Sequence, residues 1–289
     1  MPWTLSGFAD EAGASIDTQV RTIQTAGLSR IDLRIVEGVS IAALPMDRAR
    51  EVAGKLRAAG IQVGMFGSPL GKIDLADDLG IDLAKLDHLG QLAGVFQCRR
   101  VRVFSYFNEK AKATPRDRAD ETLRRLRVLK ERAVALGLEL YHENERDIFG
   151  DSVANVLQIV DALVDGVHFG TVFDFDNYNQ CGEDVWQAWE RLRDHTDAFH
   201  LKDSDSRRQH VPIGQGAGRA REILSDCLRM GWEGHLALEP HLAHSPAVLA
   251  TGPGGSANLA LANLSDEEAW QVGAAAGKDL LREIGAKWF

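Results

Sequence analysis

The chain predicts a single (β/α)8 TIM barrel, an α/β fold, on three observations. Strand-like and helix-like runs alternate from end to end, eight such pairs fill 289 residues, and no shift in composition marks a linker between domains. At about 36 residues a pair, the total fits the roughly 250-residue size of this architecture. An open doubly wound sheet is the runner-up. It ordinarily has fewer strands and a glycine-rich phosphate turn after the first, where this chain has Ala9-Asp10-Glu11-Ala12. With 45% hydrophobic residues, residues 1–289 have enough apolar material for one large core.

The first strand is WTLSGFA, and Ile16, Val20 and Ile23 at helical spacing follow it up to a stop at Gly27. LSRIDLRI is the second strand. A helix is predicted over 46–59, ended by Gly60, and IQVGMF is the third strand. A helix over 82–95 leads to RRVRVFS, the fourth. Thr114 and Pro115 supply a cap and a first-turn proline for the next helix, whose apolar stripe is Leu123, Leu126, Leu129, Ala133 and Leu136. Gly137 closes it before the fifth strand. Helices over 153–163, 184–193 and 219–230 separate the remaining strands, and Ser265 with Glu268 forms a capping box for a last helix to about residue 284. Residues 241–264 interrupt the rhythm, being poor in charge and too long for an ordinary loop. A lid over the barrel mouth, an arm in an oligomer and disorder are equal expectations for them.

Composition narrows the function. A net charge of −9 disfavours a phosphate-tracking surface, so no nucleic-acid partner is expected. No apolar run reaches the roughly 20 residues of a membrane span, and the N-terminus lacks the order of a signal peptide, so a cytoplasmic protein is expected. Cys98, Cys181 and Cys227 are odd in number and widely spaced, which suggests neither a disulfide framework nor a thiolate site. A small-molecule substrate is the expectation that remains.

Four residues concentrate the chemistry. Glu143 ends LGLELYHE, Asp174 ends GVHFGTVFD, His200 lies in TDAFHL and Glu239 ends GHLALE, each at the C-terminal tip of a separate strand. In a parallel barrel those tips share one mouth. A lone carboxylate at a strand end is more often a helix cap than a ligand. Three together are another matter, since like charges so close stay ionised only around a cation. The set therefore predicts one divalent metal ion, and its oxygen-rich chemistry suits Mn2+, Mg2+ or Co2+ and permits Zn2+.

Taken in order, YHENE, VFDFDNYNQCGED, AFHLKDSD, HVPIGQGAG and LALEPHL resemble the xylose isomerase-like sugar isomerases and epimerases, a family that includes ketose 3-epimerases, hydroxypyruvate isomerases and inosose dehydratases. The resemblance runs from about residue 4 to 240. It implies a single metal held by Glu143, Asp174, His200 and Glu239, with Glu143 and Glu239 doubling as acid and base. It implies a metal-stabilised enediolate formed on a small keto sugar, polyol or sugar phosphate, with epimerisation, isomerisation or inosose-type dehydration as outcomes. Asn177 stands where the 3-epimerases usually carry a histidine.

Further substrate-binding candidates are Lys202 and Asp203 beside a ligand, Arg207 in the same loop, Glu145 beside Glu143, and Glu11 and Arg34 at the first two strand ends. For Lys202 and Asp203 the plain alternative is a surface ion pair. His142 alternates with Glu143 and is expected to face the helices. The Gly214, Gly216 and Gly218 cluster is no dinucleotide fingerprint; it is expected to be a mobile loop or a phosphate site. Two other classes compete with the isomerase reading. A phosphodiester-cleaving enzyme of the endonuclease IV type would need more clustered histidines and a basic groove, and a non-catalytic sugar-binding barrel would keep the metal without turnover. A homo-oligomer is possible on the barrel's outer face, with no interface readable.

Overall fold

In the computed structural model, which describes residues 3–252 and 254–289, the eight strands form one parallel sheet rolled into a barrel. They are β1 (Thr4–Gly7), β2 (Arg30–Leu33), β3 (Gln62–Leu70), β4 (Arg100–Val103), β5 (Glu139–Glu143), β6 (Phe169–Asp174), β7 (Ala198–Leu201) and β8 (His235–Leu238). Hydrogen-bonded neighbours run β1-β8-β7-β6-β5-β4-β3-β2, and β1 and β2 lie side by side at the seam. The predicted (β/α)8 barrel is the observed fold.

The helices form because caps and apolar faces fall at the right spacing. They are α1 (Ile16–Thr25), α2 (Met46–Ala58), α3 (Gly80–Phe96), α4 (Pro115–Ala135), α5 (Val153–Leu163), α6 (Phe175–Cys181), α7 (Val185–Leu192), α8 (Ala220–Met230), α9 (Pro246–Thr251) and α10 (Asp266–Glu283). Thr114 accepts from the Asp117 amide with Pro115 in the first turn, and Ser265 and Glu268 make the reciprocal capping box. Gly60, with φ of 70°, ends the α2 turn in a left-handed conformation that a side chain would strain. Leu126, Leu129 and Ala133 are the buried stripe of α4.

Alternation along each strand sorts the barrel interior from the helix layer. Ile31 and Leu33 of β2, Val101 and Val103 of β4, and Leu140 of β5 belong to the main hydrophobic core. The opposite parity carries polar groups. At the N-terminal end of β8, His235 Nε2 lies 2.8 Å from Asp32 Oδ2 and 3.1 Å from Ser6 Oγ. Met65, Val172 and Ala198, with Tyr141, form a small separate apolar cluster. Register then aligns the reactive tips, with Asp174 opposite His200 and His200 opposite Ala237.

Three differences from the sequence reading bear on the site. Strand β3 continues to Leu70, four residues beyond the expected run, which carries Ser68 and Lys72 towards the mouth. Helix α6 starts at once after Asp174 because the Asp174 side chain caps it, accepting from the Asn177 amide at 2.8 Å. Residues 241–264, of which Pro253 lies outside the described residues, contain α9 and cross the mouth. They are tied down by Lys72 Nζ to Thr251 O (3.2 Å), Ser256 N to Arg208 O (2.9 Å) and His210 N to Ser256 O (2.8 Å). These contacts hold the segment against the mouth, as a lid would lie.

Candidate active site

The four strand tips converge. One ligand-capable atom from each of Glu143, Asp174, His200 and Glu239 lies within 4.8 Å of all the others, and all four residues are buried. Parity and register bring this about: each is the inward-facing residue nearest its strand's C-terminal end. His200 Nδ1 faces Glu143 Oε1 at 2.8 Å and Glu239 Oε2 at 3.0 Å. The Phe8 ring stands edge-on to the imidazole, with centroids 5.1 Å apart, and fixes its plane.

Buried cations surround the acids. Arg34 grips Asp10 through Nε at 2.8 Å and Nη2 at 3.0 Å, and reaches Glu239 Oε1 with Nη1 at 2.6 Å. Arg102 donates to Glu143 Oε2 at 3.0 Å. Lys202 Nζ stands 3.0 Å from Asp174 Oδ2 and donates to Asn177 Oδ1 at 2.9 Å. Asn177 Nδ2 in turn donates to Asn144 O at 2.8 Å, so the DxxN pattern locks the turn into α6.

Electrostatics follow from this arrangement. Burial would push the Glu143 carboxyl up, but His200 and Arg102 outweigh it and hold it at about 2. Against the same burial, Lys202 and His200 keep Glu239 well below the usual carboxylate range. Burial raises Asp174 well above that range, and Lys202 does not offset it. For His200, burial opposes the charge, yet Glu143 and Glu239 raise it to about 10. A proton on His200 here supplies positive charge where three carboxylates meet.

The donor set fits a divalent ion. Asp174 Oδ2 and Glu239 Oε2 are buried without a well-directed hydrogen bond, although Lys202 and His200 stand 3.0 Å away. Three carboxylates and one imidazole match hard or borderline divalent cations. Glu11, Glu239 and His241 form a second such group, but Arg34 already occupies the space between the two glutamates.

The other sequence candidates divide. Glu11, Arg34, Asn177 and Lys202 are buried at the cluster or directly behind it, so Lys202 is no surface charge. Glu145 sits at the rim, paired with Lys72 at 2.9 Å. Arg207 points to solvent, its side chain 85% exposed beside Asp205. Asp203 is buried but turned away. Its carboxylate accepts from the amides of Gly214 (3.0 Å), Gly216 (2.9 Å) and Gly218 (2.9 Å). A Cβ at Gly216 would lie 2.3 Å from Asp203 Oδ1, which explains the glycine there. The amides of the proposed phosphate loop are thus filled by an internal carboxylate. Replacing Asp203 with alanine is expected to cost about 1–3 kcal/mol, read as a lower urea midpoint at unchanged slope; no shift would show that water satisfies the loop.

His142 faces the helix side as expected, buried, with burial lowering it to about 4. Sequence reasoning missed Arg102, Asp10 and Lys72. Arg102 had a usable signal, a charged residue alternating with Val101 and Val103 at the parity of Arg100. Asp10 and Lys72 had none, because their roles depend on where Arg34 and the lid come to rest.

Solved structures share this architecture. An L-ribulose 3-epimerase is 17% identical, with 98% of this chain and 95% of that one covered and a TM-score of 0.73. The probable 3-DHS dehydratase AsbF from Bacillus anthracis is 15% identical over 96% of this chain and 99% of its own, with a TM-score of 0.71. The IolI protein with a bound zinc atom is 14% identical over 97% and 98%, also at 0.71. At these identities the likeness is one of fold. No curated protein matches the chain in sequence. Residues 20–264 match the xylose isomerase-like TIM barrel family, and the chain belongs to it.

Proposed function

We propose that this protein is a divalent-metal-dependent isomerase or epimerase that moves a proton at a carbon beside the carbonyl of a small keto sugar or of a polyol that carries a ketone. The observation that carries the reading is the convergence of Glu143, Asp174, His200 and Glu239, with unsatisfied carboxylate oxygens facing one another in a buried mouth. These four would hold the ion. When bound, it supplies Lewis acidity that makes the neighbouring C–H more acidic.

The chain's own groups do the rest. His200 and Arg102 keep Glu143 ionised, and Lys202 and His200 keep Glu239 so, which leaves both carboxylates in the form that accepts a proton. Two bases on different strands suit removal of a proton by one and its return by the other. The lid limits bulk water around the reacting carbon, while the carboxylates exchange their protons with solvent between turnovers. Lys202 gives the dehydratase reading one specific support, since its ammonium beside Asp174 is a donor for a departing hydroxyl. The alternative barrel that binds sugar without turnover needs none of this acid–base pairing.

Metal stoichiometry tests the reading first. About one divalent ion per chain, lost in His200→Ala, is the expected result by elemental analysis. Wild-type protein that takes up no Mn2+, Mg2+, Co2+ or Zn2+ sinks it. With a metal established, proton exchange of keto sugars and inososes in D2O reports the shared enediolate, and the product's mass separates epimerisation from dehydration, because only the latter loses the substrate's hydroxyl as water.

A further inference from the structure

A cavity of about 300 Å³ opens beside the cluster, between β2, β3, β4 and the lid. Arg34, Arg102 and Lys72 line it, and among the described residues no aspartate or glutamate does. Its other walls, including Pro69, Phe104 and Ala250, are mainly apolar. Such a lining is rich in donors and poor in side-chain acceptors, so it suits a group that only accepts, such as an oxyanion, better than a row of hydroxyls, each of which must also place a donor.

Arg102 carries the argument furthest. Its guanidinium lies over both Phe8 and Phe104, 5.3 and 4.8 Å from the ring centroids, which sets its plane. Nε donates to Ser68 O at 3.4 Å, Nη1 to Glu143 at 3.0 Å and Nη2 to Gly67 O at 3.2 Å. Glu239 Oε1, at 3.9 Å from Nη1, is beyond hydrogen-bond range. A guanidinium has five N–H donors, so Nη1 and Nη2 each retain one. A planar fork with two donors to spare matches an oxyanion. Lys72 Nζ, 4.4 Å from the Phe104 centroid, stands at the same wall; paired with Glu145 at 2.9 Å and donating to Thr251 O at 3.2 Å, it keeps one of its three N–H donors for a ligand.

We infer that this chamber takes the anionic end of the substrate, a carboxylate or a phosphoryl group, and that Arg102 and Lys72 select it. The inference rests on the reading that the adjoining cluster is the reaction centre. The substrate's reacting carbons then face Glu143 and Glu239 while its charged end lies against Phe104. The glycine loop offers no rival position, since Asp203 already fills its amides.

Calorimetric titration of the full-length protein, metal-loaded and metal-free, at constant ionic strength tests this with D-glucuronate, D-glucose and D-glucose 6-phosphate. An anionic sugar is expected to bind roughly tenfold or more tightly than glucose. Lys72→Met is expected to cut that preference by about threefold or more with the divalent-ion content unchanged. Tighter binding of glucuronate supports the inference and identifies a carboxylate; tighter binding of the phosphate supports it and identifies a phosphoryl group. Glucose binding as well as either acid, no saturable binding of either acid in both metal states, or a preference unmoved in Lys72→Met overturns it. Failure of the metal reading shows separately, as protein that takes up no divalent ion yet still prefers the acid.

Discussion

Glu239→Gln is expected to lower turnover by at least about a hundredfold while retaining ligand binding, because amide and carboxylate are nearly isosteric but only the carboxylate accepts a proton. The amide oxygen still faces the cluster, so metal is retained with weaker affinity. With that oxygen turned to the cluster, the amide nitrogen takes the place of Oε1, so Arg34 Nη1 loses the acceptor it had at 2.6 Å and some stability is lost with it. Loss of C–H exchange in D2O with metal still bound supports an acid–base role. Unchanged exchange places the base elsewhere, and exchange in neither protein favours the non-catalytic barrel.

The second large effect is on stability. Arg34→Met removes the cation that Asp10, Glu11 and Glu239 share, all of them no more than 4% exposed. Breaking a buried ion pair from one side leaves charge without compensation and costs about 3–5 kcal/mol. The loss is expected in full in metal-free protein, measured by urea unfolding. Saturating divalent ion should recover part of it, because an ion that binds only the folded state adds stability and also faces Glu239. A change below about 1 kcal/mol would show that the acids simply take up protons. Glu11, raised well above its ordinary value by burial, is placed to do so first.

How much of this was legible in sequence depended on whether a feature was local. Caps such as Thr114 with Pro115 and Ser265 with Glu268 are decided within one turn, and both stand where the residues predict. The cluster was legible for a related reason. Strand parity and a shared mouth turn four separate positions into one place. Asp203 shows where that logic stops. Adjacent to Lys202 in sequence, it faces the other way on the alternating backbone, and only the path of the glycine loop shows what it binds. Helix α6 was missed because a seven-residue helix capped by the proposed ligand itself leaves little periodic signal. Arg102 was missed because inward parity was applied to the last four strands and not to the fourth.

The lid is fastened mainly through main-chain oxygens. Lys72 and Arg146 donate to the carbonyls of Thr251 and Gly254, and Ser256 pairs backbone to backbone with Arg208 and His210. Its side-chain anchors lie at other positions, among them Asn258, whose Nδ2 donates to His210 O at 3.0 Å, and the buried Leu242 and Val248. Ala250, which faces the chamber, can therefore drift in size or polarity without unfastening the cover. Ligand preference in this barrel can evolve in the roof while the reacting groups below stay fixed.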